Sequence, residues 1–277
     1  KKTRTCSGFS FGKASSPPLP HRNLWGLLPK PLTLLSLPLL PSEPMNRPEL
    51  IDTAPIPNDG GELRLFREGP HFAIKIAGGG ELMHSRTHGS EDKLAEITCT
   101  RIAGRPQPSV LIGGLGMGFT LAAALKHLGS DASVVVAELV PAVVEWNRGP
   151  LGEHAGNPLQ DPRTIVRVGD VAQVLKTEKQ AFDAILLDVD NGPQGITHKS
   201  NDWLYSLPGL DAAMSALRPG GVLAIWSAGP DPMFTIRLKK ARFLVEEVPV
   251  RAHGNKGARH LIWLAWKRES DSRRTND

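Results

Sequence analysis

The stretch that decides the fold is SVLIGGLGMGFTLAAALKHLGSDASVVVAE, residues 109–138. Val110–Ile112 is a short apolar run, as expected for a strand that is buried on both faces of a parallel sheet. A glycine-rich turn follows, and residues 120–128 are rich in Ala and Leu, which predicts a helix. Residues 133–137 predict the next strand, and Glu138 ends it. This order of elements predicts a crevice that binds a nucleotide or a nucleoside.

The spacing of the turn glycines Gly113, Gly114, Gly116 and Gly118 indicates which cofactor fits. The dinucleotide fingerprint is G-x-G-x-x-G, whereas residues 114–118 read G-x-G-x-G and Phe119 stands at the place of the third glycine. A bulky ring there would crowd the close packing of helix and strand that glycine permits. Because the chain also lacks a plausible catalytic Tyr-x-x-x-Lys, an NAD(P)-dependent dehydrogenase is disfavoured.

Beyond Glu138, apolar strands and helices alternate, which predicts a parallel sheet with crossover helices. The predicted helices are 141–148, 202–217 and 230–241, and the predicted strands are 164–168, 182–189 and 222–227. The second of these helices is expected to stop at Arg218-Pro219-Gly220-Gly221. A final antiparallel pair is predicted at 243–250 and 260–266.

The region before the glycine turn has a different character. Residues 62–83 alternate in short runs that predict two or three strands, and 90–102 predicts a helix with Ser90 as its N-cap. We therefore expect a small β-rich segment plus a helix over 48–104, a Rossmann-like domain over 105–267, and a polar tail over 268–277. The β-rich segment could pair with its copy in a second subunit, so the sequence is compatible with a homodimer.

The first 47 residues are rich in Pro, Ser and Leu, and Met45 is the first methionine. We expect residues 1–47 to be a disordered leader or sequence upstream of a start at Met45, with a transit peptide as an alternative. The apolar run 24–40 is broken by three prolines and therefore predicts no membrane span.

Charge and cysteine content exclude several classes of protein. The net charge is +5, but residues 1–47 carry +6, so the remaining 26 basic and 27 acidic side chains nearly balance. The globular part therefore has no basic bias that would indicate nucleic acid. The two cysteines, Cys6 and Cys99, form neither a metal-binding spacing nor a disulfide framework. We expect a cytoplasmic protein without a metal site.

Three carboxylates lie at or near the carboxyl ends of predicted strands: Glu138, Asp170 and Asp188. The carboxyl ends of parallel strands meet at one edge of the sheet, where ligands bind. Asp190 lies two residues beyond Asp188. A carboxylate in a dry crevice can have a raised pKa, which suits proton abstraction from an amine. Asp170 could instead simply cap the helix that follows it.

Residues 61–267 resemble the spermidine synthase-like proteins (polyamine aminopropyltransferases) of the class I S-adenosylmethionine-dependent methyltransferase superfamily. The segments that carry the resemblance are VLIGGLGMGFTL (110–121), VVVAELVPAVVEW (134–146), DPRTIVRVGDV (161–171), FDAILLDVDNGP (182–193) and ALRPGGVLAIWS (216–227). The resemblance implies an α/β fold with a Rossmann-like seven-stranded sheet, preceded by the small β-rich segment.

The resemblance also implies a transferase. Its co-substrate would be S-adenosylmethionine or decarboxylated S-adenosylmethionine, and an aminopropyl or methyl group would pass to a small-molecule amine. The four turn glycines would hold the nucleoside, Glu138 would bind the ribose, and Asp170 would face the adenine amino group. Asp188, with Asp190 beside it, would help to deprotonate the attacking amine.

The sequence departs from that family in its acidic residues. The family usually carries a GGGDGG-like run whose aspartate pairs with the ammonium of the aminopropyl donor, whereas GGLGMG has no carboxylate. Leu94-Ala95-Glu96 stands in place of a Tyr-His-Glu run, and Asn191 replaces the second aspartate of D-x-x-D-P. Because each buried cation needs a partner, these losses argue against ordinary putrescine as the acceptor. Methyl transfer to an unknown small molecule and a non-catalytic nucleoside-binding scaffold stay open.

Overall fold

The computed structural model describes residues 47–57, 61–189, 202–253 and 256–269. These residues form two β-sheets and six α-helices. Most of the predicted leader, Asp190 and most of the predicted tail lie outside the described residues.

The smaller sheet is antiparallel, and its strands follow one another in chain order. The strands are β1 (Glu49–Pro55), β2 (Glu62–Glu68), β3 (His71–Ile76) and β4 (Glu81–His84). The predicted β-rich segment is thus confirmed. Strand β1 was not predicted, because it is an edge strand whose side chains are mostly exposed and show no buried alternation.

Helix α1 (Gly89–Ile102) joins the two sheets along the chain. Ser90 does not cap this helix, so that prediction is wrong: the helix begins at Gly89, and His88 occupies the N-cap position. The hydroxyl of Ser90 instead donates a hydrogen bond to Glu91 Oε2 at 2.6 Å.

The larger sheet has seven strands in the order β10-β11-β9-β8-β5-β6-β7, which confirms the predicted architecture. Its strands are β5 (Ser109–Gly113), β6 (Ser133–Glu138), β7 (Thr164–Val168), β8 (Phe182–Leu187), β9 (Leu217–Ser227), β10 (Leu244–His253) and β11 (Lys256–Trp266). Strands β5 to β9 are parallel to one another, whereas β11 is antiparallel to both β9 and β10.

Helices cover both faces of this sheet, as its alternating apolar side chains require. They are α2 (Phe119–His127), α3 (Pro141–Arg148), α4 (Val171–Thr177), α5 (Leu207–Ala216) and α6 (Pro232–Lys240), with short 3-10 helices at Gly152–Ala155 and Pro158–Gln160. Val110 and Ile112 pack into one buried cluster with α1, α2, α3 and the smaller sheet. Leu111 packs into the other, with α4, α5 and α6.

Two predicted boundaries around β9 are wrong. Helix α5 begins at Leu207 instead of residue 202, because the Ser206 hydroxyl accepts a hydrogen bond from Gly209 N and caps it there. Residues 218–221 do not form a turn between helix and strand but belong to β9, where Leu217 pairs with Phe182 and Val222 with Ala184. The extra residues on β9 form a bulge, which absorbs the Pro-Gly-Gly sequence.

The topology gathers the predicted binding residues at one edge of the sheet. Strand β5 lies between β6 and β8, so the crossover connections leave it on opposite sides and open a crevice at its carboxyl end. Leu65 and Ile74 of the smaller sheet belong to the same buried cluster as Ile112, next to that crevice. The division of the chain at residue 104 stays a prediction. None of the described helices is long and apolar enough to cross a membrane.

Candidate active site

A cavity of about 390 Å³ opens at the carboxyl ends of the parallel strands. Its volume falls in the range of small-molecule sites. The larger sheet contributes one wall, with Gly114, Gly116, Glu138, Asp170 and Asp188. The smaller sheet contributes an apolar wall, which includes Leu63, Ile74, Ile76, Leu82 and Met83. The cavity therefore lies between the predicted crevice and the smaller sheet. The sequence did not predict that the smaller sheet lies over the crevice.

Two of the predicted glycines shape the cavity directly. Gly114 has a φ of +90°, and a Cβ on it would lie 2.5 Å from the backbone oxygen of Asp188. Gly116 has a φ of +52°, and a Cβ on it would lie 2.8 Å from Met83 Cε. Side chains at these positions would close the approach to the backbone, which is the physical reason for glycine here.

The other two predicted glycines do not line the cavity. A Cβ on Gly113 would lie 3.0 Å from Leu187 Cδ2 and 3.0 Å from Val171 Cγ2, so this glycine allows close packing inside the sheet layer. A Cβ on Gly118 would lie 2.8 Å from Asn147 Oδ1. Both glycines allow close packing of the turn against its neighbours outside the cavity. Their contact with a ligand stays a prediction.

Glu138 is buried and holds the glycine turn in place. Its Oε2 accepts a hydrogen bond from Leu115 N at 2.8 Å, and its Oε1 accepts one from Val140 N at 2.8 Å. Burial raises the pKa of the Glu138 carboxyl, and the hydrogen bonds from backbone N–H groups oppose that shift. The carboxylate thus connects the turn to the end of β6 and still borders the cavity.

Asp170 borders the cavity and also caps α4, as the sequence analysis allowed. Its Oδ1 accepts a hydrogen bond from Ala172 N at 2.8 Å. Capping uses one carboxylate oxygen, so the other can meet a donor group of a ligand. The alternatives of helix cap and ligand contact are therefore compatible.

Asp188 follows β8 and is partly buried. Burial, together with the negative charge of Glu91, raises the pKa of Asp188 from 3.8 to about 7, although a hydrogen bond from Thr120 opposes the shift. That bond runs from Thr120 Oγ1 to Asp188 Oδ2 at 2.5 Å. Asp188 therefore has the proton affinity of a general base that works near neutral pH. Asp190, the other predicted catalytic residue, lies outside the described residues.

Acidic side chains outnumber basic ones in the cavity wall. Five carboxylates border it, namely Glu81, Glu91, Glu138, Asp170 and Asp188. Of the described residues that border it, none is a lysine or an arginine. A cavity with this lining attracts cations, because each carboxylate without a counter-ion gains by pairing with one.

Two histidines also border the cavity. His84 Nδ1 accepts a hydrogen bond from Arg86 N at 3.1 Å, so its Nε2 carries the proton and donates to Glu68 at 3.3 Å. Burial lowers the pKa of His260, and the charge of Glu91 and the backbone of Ala228 oppose that shift.

Sequence reasoning missed Glu91, Thr120 and the apolar wall. Glu91 has the sequence signature of an ordinary acidic residue in the first turn of a helix, and Thr120 that of an unremarkable helical residue. Only the packing of α1 and α2 against the end of β8 brings both side chains to Asp188. Within the described residues, no cluster of three or more His, Cys, Asp or Glu side chains could hold a metal ion.

The family model of the spermine/spermidine synthase domain matches residues 93–234, just over half of the chain. The chain belongs to the spermine/spermidine synthase family. This membership confirms the resemblance that the motifs indicated. The matched range contains the turn glycines and the carboxylates at 138, 170 and 188.

Curated relatives and solved structures agree with this membership. The polyamine aminopropyltransferase 1 of Streptomyces coelicolor is 32% identical over 127 residues, which cover 45% of this chain and 23% of that protein. The putrescine N-methyltransferase 2 of Nicotiana attenuata is 34% identical over 119 residues, which cover 43% of this chain and 30% of that protein. The chain thus spans less than a third of the length of either relative. The crystal structure of spermidine synthase from Thermotoga maritima superposes with a TM-score of 0.61 and 19% identity, over 79% of this chain and 73% of that one, which shows a shared fold.

Proposed function

We propose that this chain is a transferase that moves an alkyl group from a sulfonium nucleoside to a small-molecule amine. The observation that carries the proposal is the cavity at the glycine turn, whose wall has five carboxylates and, among the described residues, no lysine or arginine. Both reactants are cations, since the donor carries a positive sulfur and the acceptor arrives as an ammonium ion.

The donor would lie against the turn, as S-adenosylmethionine or its decarboxylated form. Gly114 and Gly116 let it approach the backbone, Glu138 would accept hydrogen bonds from the ribose hydroxyls, and Asp170 would accept one from the adenine amino group. Glu138 is fixed by two backbone N–H groups before any ligand arrives. The site therefore needs little reorganisation on binding, which favours affinity.

Asp188 would prepare the acceptor. Its carboxylate takes one proton from the ammonium group, which leaves a neutral amine with a free electron pair. That pair attacks the carbon bonded to the sulfonium sulfur, the carbon–sulfur bond breaks, and its electrons make the sulfur a neutral thioether. The new nitrogen–carbon bond leaves the product as a secondary ammonium ion, and Asp188 later releases its proton to water. The protein contributes orientation and the exclusion of water.

The charge of the wall favours the decarboxylated donor. Its tail carries an ammonium group alone, whereas the tail of S-adenosylmethionine also carries a carboxylate. Among five carboxylates, a further carboxylate would be repelled unless backbone N–H groups bind it. Aminopropyl transfer is therefore the first candidate, and it is also the activity named in the Streptomyces relative.

Methyl transfer is the second candidate. It is favoured by the glycine turn itself, because residues 113–118 contain no carboxylate to pair with an aminopropyl ammonium. A plant relative is named as a putrescine N-methyltransferase. The mass of the product separates the two reactions.

The test measures binding first and transfer second. Thermal unfolding is followed with S-adenosylmethionine, its decarboxylated form, methylthioadenosine and NAD, since a ligand at 100 times its Kd adds about 2.7 kcal/mol to the free energy of unfolding. Each stabilising donor is then incubated with putrescine, spermidine and n-butylamine, and the amines are analysed by mass spectrometry. Asp188→Asn should bind methylthioadenosine and lose transfer. Asp211→Asn, on the exposed side of α5, serves as the matched control and should keep both.

The outcomes separate the competing functions. Stabilisation by NAD alone would contradict the proposal. Binding of methylthioadenosine without alkylation of any amine would support the non-catalytic scaffold instead. Full transfer by Asp188→Asn would remove the assigned role of this carboxylate.

A further inference from the structure

A second, much smaller cavity adjoins the first at the glycine turn. It measures about 20 Å³, which is room for one water-sized group. Its wall combines Leu115, Gly116 and Met117 of the turn with Glu91, Thr120 and Asp188. An ammonium group is about the size of a water molecule, and two carboxylates face this space.

Among the residues in the wall of the small cavity, Glu91 is a carboxylate to which the proposed reaction gives no role. It lies in the first turn of α1, where a glutamate ordinarily stabilises the positive end of the helix. The described ion pairs of α1 are made by other residues: Asp92 pairs with His88, Glu96 with Lys93, and Arg101 with Glu246. The hydrogen bond to Glu91 comes from the uncharged hydroxyl of Ser90. Among the described residues Glu91 forms no ion pair, so its carboxylate can pair with a cation in the cavity.

The charge of Glu91 acts on the other groups of the site. It raises the pKa of Asp188 and opposes the lowering of the pKa of His260. Two carboxylates that repel each other across a small cavity are stabilised when a cation enters between them. The titratable groups that share the two cavities with Glu91 are Asp188 after β8, Glu81 and His84 on β4, Glu138 on β6, Asp170 before α4 and His260 on β11.

We propose that Glu91 binds the ammonium group in the tail of the nucleoside donor, inside the small cavity between the glycine turn and Asp188. The proposal rests on the proposed function, because it assigns a residue to that same donor. The cation belongs to the donor since turn residues form part of the wall, and the turn is where the nucleoside would lie. Glu91 thereby supplies from α1 the negative charge that residues 113–118 lack.

The experiment uses two nucleosides that differ in the tail cation. One is methylthioadenosine, and the other is the corresponding thioether with an aminopropyl tail. Both have a neutral sulfur, so the ratio of their dissociation constants, measured by calorimetry, reports the aminopropyl tail. The change of this ratio from wild type to Glu91→Gln reports the ammonium group, because the substitution leaves the methylene groups of the tail unaltered. The full chain is tested as wild type, as Glu91→Gln and as Glu96→Gln. Glu96 lies on the same helix, has a side chain that is 41% exposed and pairs with Lys93 at 2.6 Å, so it is the matched control.

We expect the wild type to bind the aminopropyl compound more tightly than methylthioadenosine. In Glu91→Gln this preference should fall by roughly 10- to 100-fold, the range for a lost hydrogen bond between charged groups. The affinity for methylthioadenosine should stay unchanged, as should both affinities of Glu96→Gln. Glu91→Asp keeps the charge and should recover part of the preference, which guards against a folding defect in Glu91→Gln.

Each other outcome overturns the inference in its own way. Equal affinities of the wild type for the two compounds would mean that no tail cation is bound. An equal loss of both affinities in Glu91→Gln would assign Glu91 a structural role. A preference that persists in Glu91→Gln would assign the cation to another carboxylate. If neither compound binds the wild type, the proposed function fails together with the inference.

Discussion

Replacing Asp188 by asparagine should stabilise the protein increasingly as the pH rises from about 4 to about 7, and should have little effect below about pH 4. The pKa of Asp188 is raised from 3.8 to about 7, chiefly by burial and then by the charge of Glu91. The folded chain therefore holds a proton between about pH 4 and pH 7 that the unfolded chain has lost. The free energy of unfolding falls with rising pH across this window and levels off above pH 7.

The magnitude follows from the size of the shift. A shift of about 3 pH units, at about 1.4 kcal/mol per unit, corresponds to about 4 kcal/mol of stability that the ionised carboxylate removes. Asparagine has no charge to desolvate, and its carbonyl oxygen can still accept the hydrogen bond that Thr120 donates. At pH 8 the Asp188→Asn variant should thus be more stable than the wild type by up to about 4 kcal/mol. At pH 4 the two should be nearly equal.

Urea denaturation followed by tryptophan fluorescence, at intervals from pH 4 to pH 9, measures this difference. Trp263 is fully buried and reports unfolding. Asp211→Asn on the exposed side of α5 is the control and should stay within about 0.5 kcal/mol of the wild type throughout. In Glu91→Gln the free energy of unfolding should stop falling at a lower pH than in the wild type, because one cause of the raised pKa of Asp188 is removed.

One result would refute the reasoning. If the stabilities of wild type and Asp188→Asn run parallel from pH 4 to pH 9, Asp188 is an ordinary ionised carboxylate. Its assignment as the base of the proposed reaction would then lose its physical support.

The remaining predictions concern activity and the glycine turn. With a stabilising donor, kcat/KM should rise about tenfold per pH unit up to about pH 7 and then level off, because Asp188 must be ionised to accept a proton; a flat profile would contradict this. Gly114→Ala should destabilise the fold by roughly 3 kcal/mol or more and Gly116→Ala by roughly 1 kcal/mol, since the first Cβ meets a backbone oxygen and the second meets the flexible end of Met83. Urea denaturation of the two variants checks that order. Glu138→Gln should weaken methylthioadenosine binding by roughly 10- to 100-fold in calorimetry, because the amide can accept at only one of the two positions where backbone N–H groups now donate; unchanged affinity would exclude this role.

The central parallel strands β5, β6 and β8 of the large sheet could be predicted from the sequence because they are buried on both faces. Residues 110–112 and 134–137 are continuously apolar, and a helix with clear ends separates the two runs. Helix α3 and strand β7 have the predicted bounds of 141–148 and 164–168. Local sequence decides these elements, so local reasoning suffices.

Elements that depend on partners were harder to predict. Strand β1 exists because it pairs with β2, although its own side chains are mostly exposed. Residues 218–221 read as a helix stop, yet pairing with β8 makes them a bulge inside β9. In each case the tertiary contact outweighs the local preference.

The same distinction applies to the candidate site. Glu138, Asp170 and Asp188 could be predicted because each follows a parallel strand, and the topology brings such positions together. Glu91 and Thr120 lie on helices, and nothing in their local sequence separates them from solvent-facing residues. Only the packing of the two helices against the end of β8 brings them to Asp188.

The two-walled cavity divides its tasks between the sheets. Three of the five carboxylates, Glu138, Asp170 and Asp188, lie at strand ends of the larger sheet, whereas Glu81 lies on β4 and Glu91 on α1. Ile74, Ile76 and Leu82 stand on the smaller sheet and touch the same space without any charged or hydrogen-bonding duty. Under the proposed function, exchange of one aliphatic side chain for another there would alter the shape offered to the acceptor and leave the carboxylates at the strand ends of the larger sheet in place. Single substitutions on the smaller sheet would then change which acceptors fit.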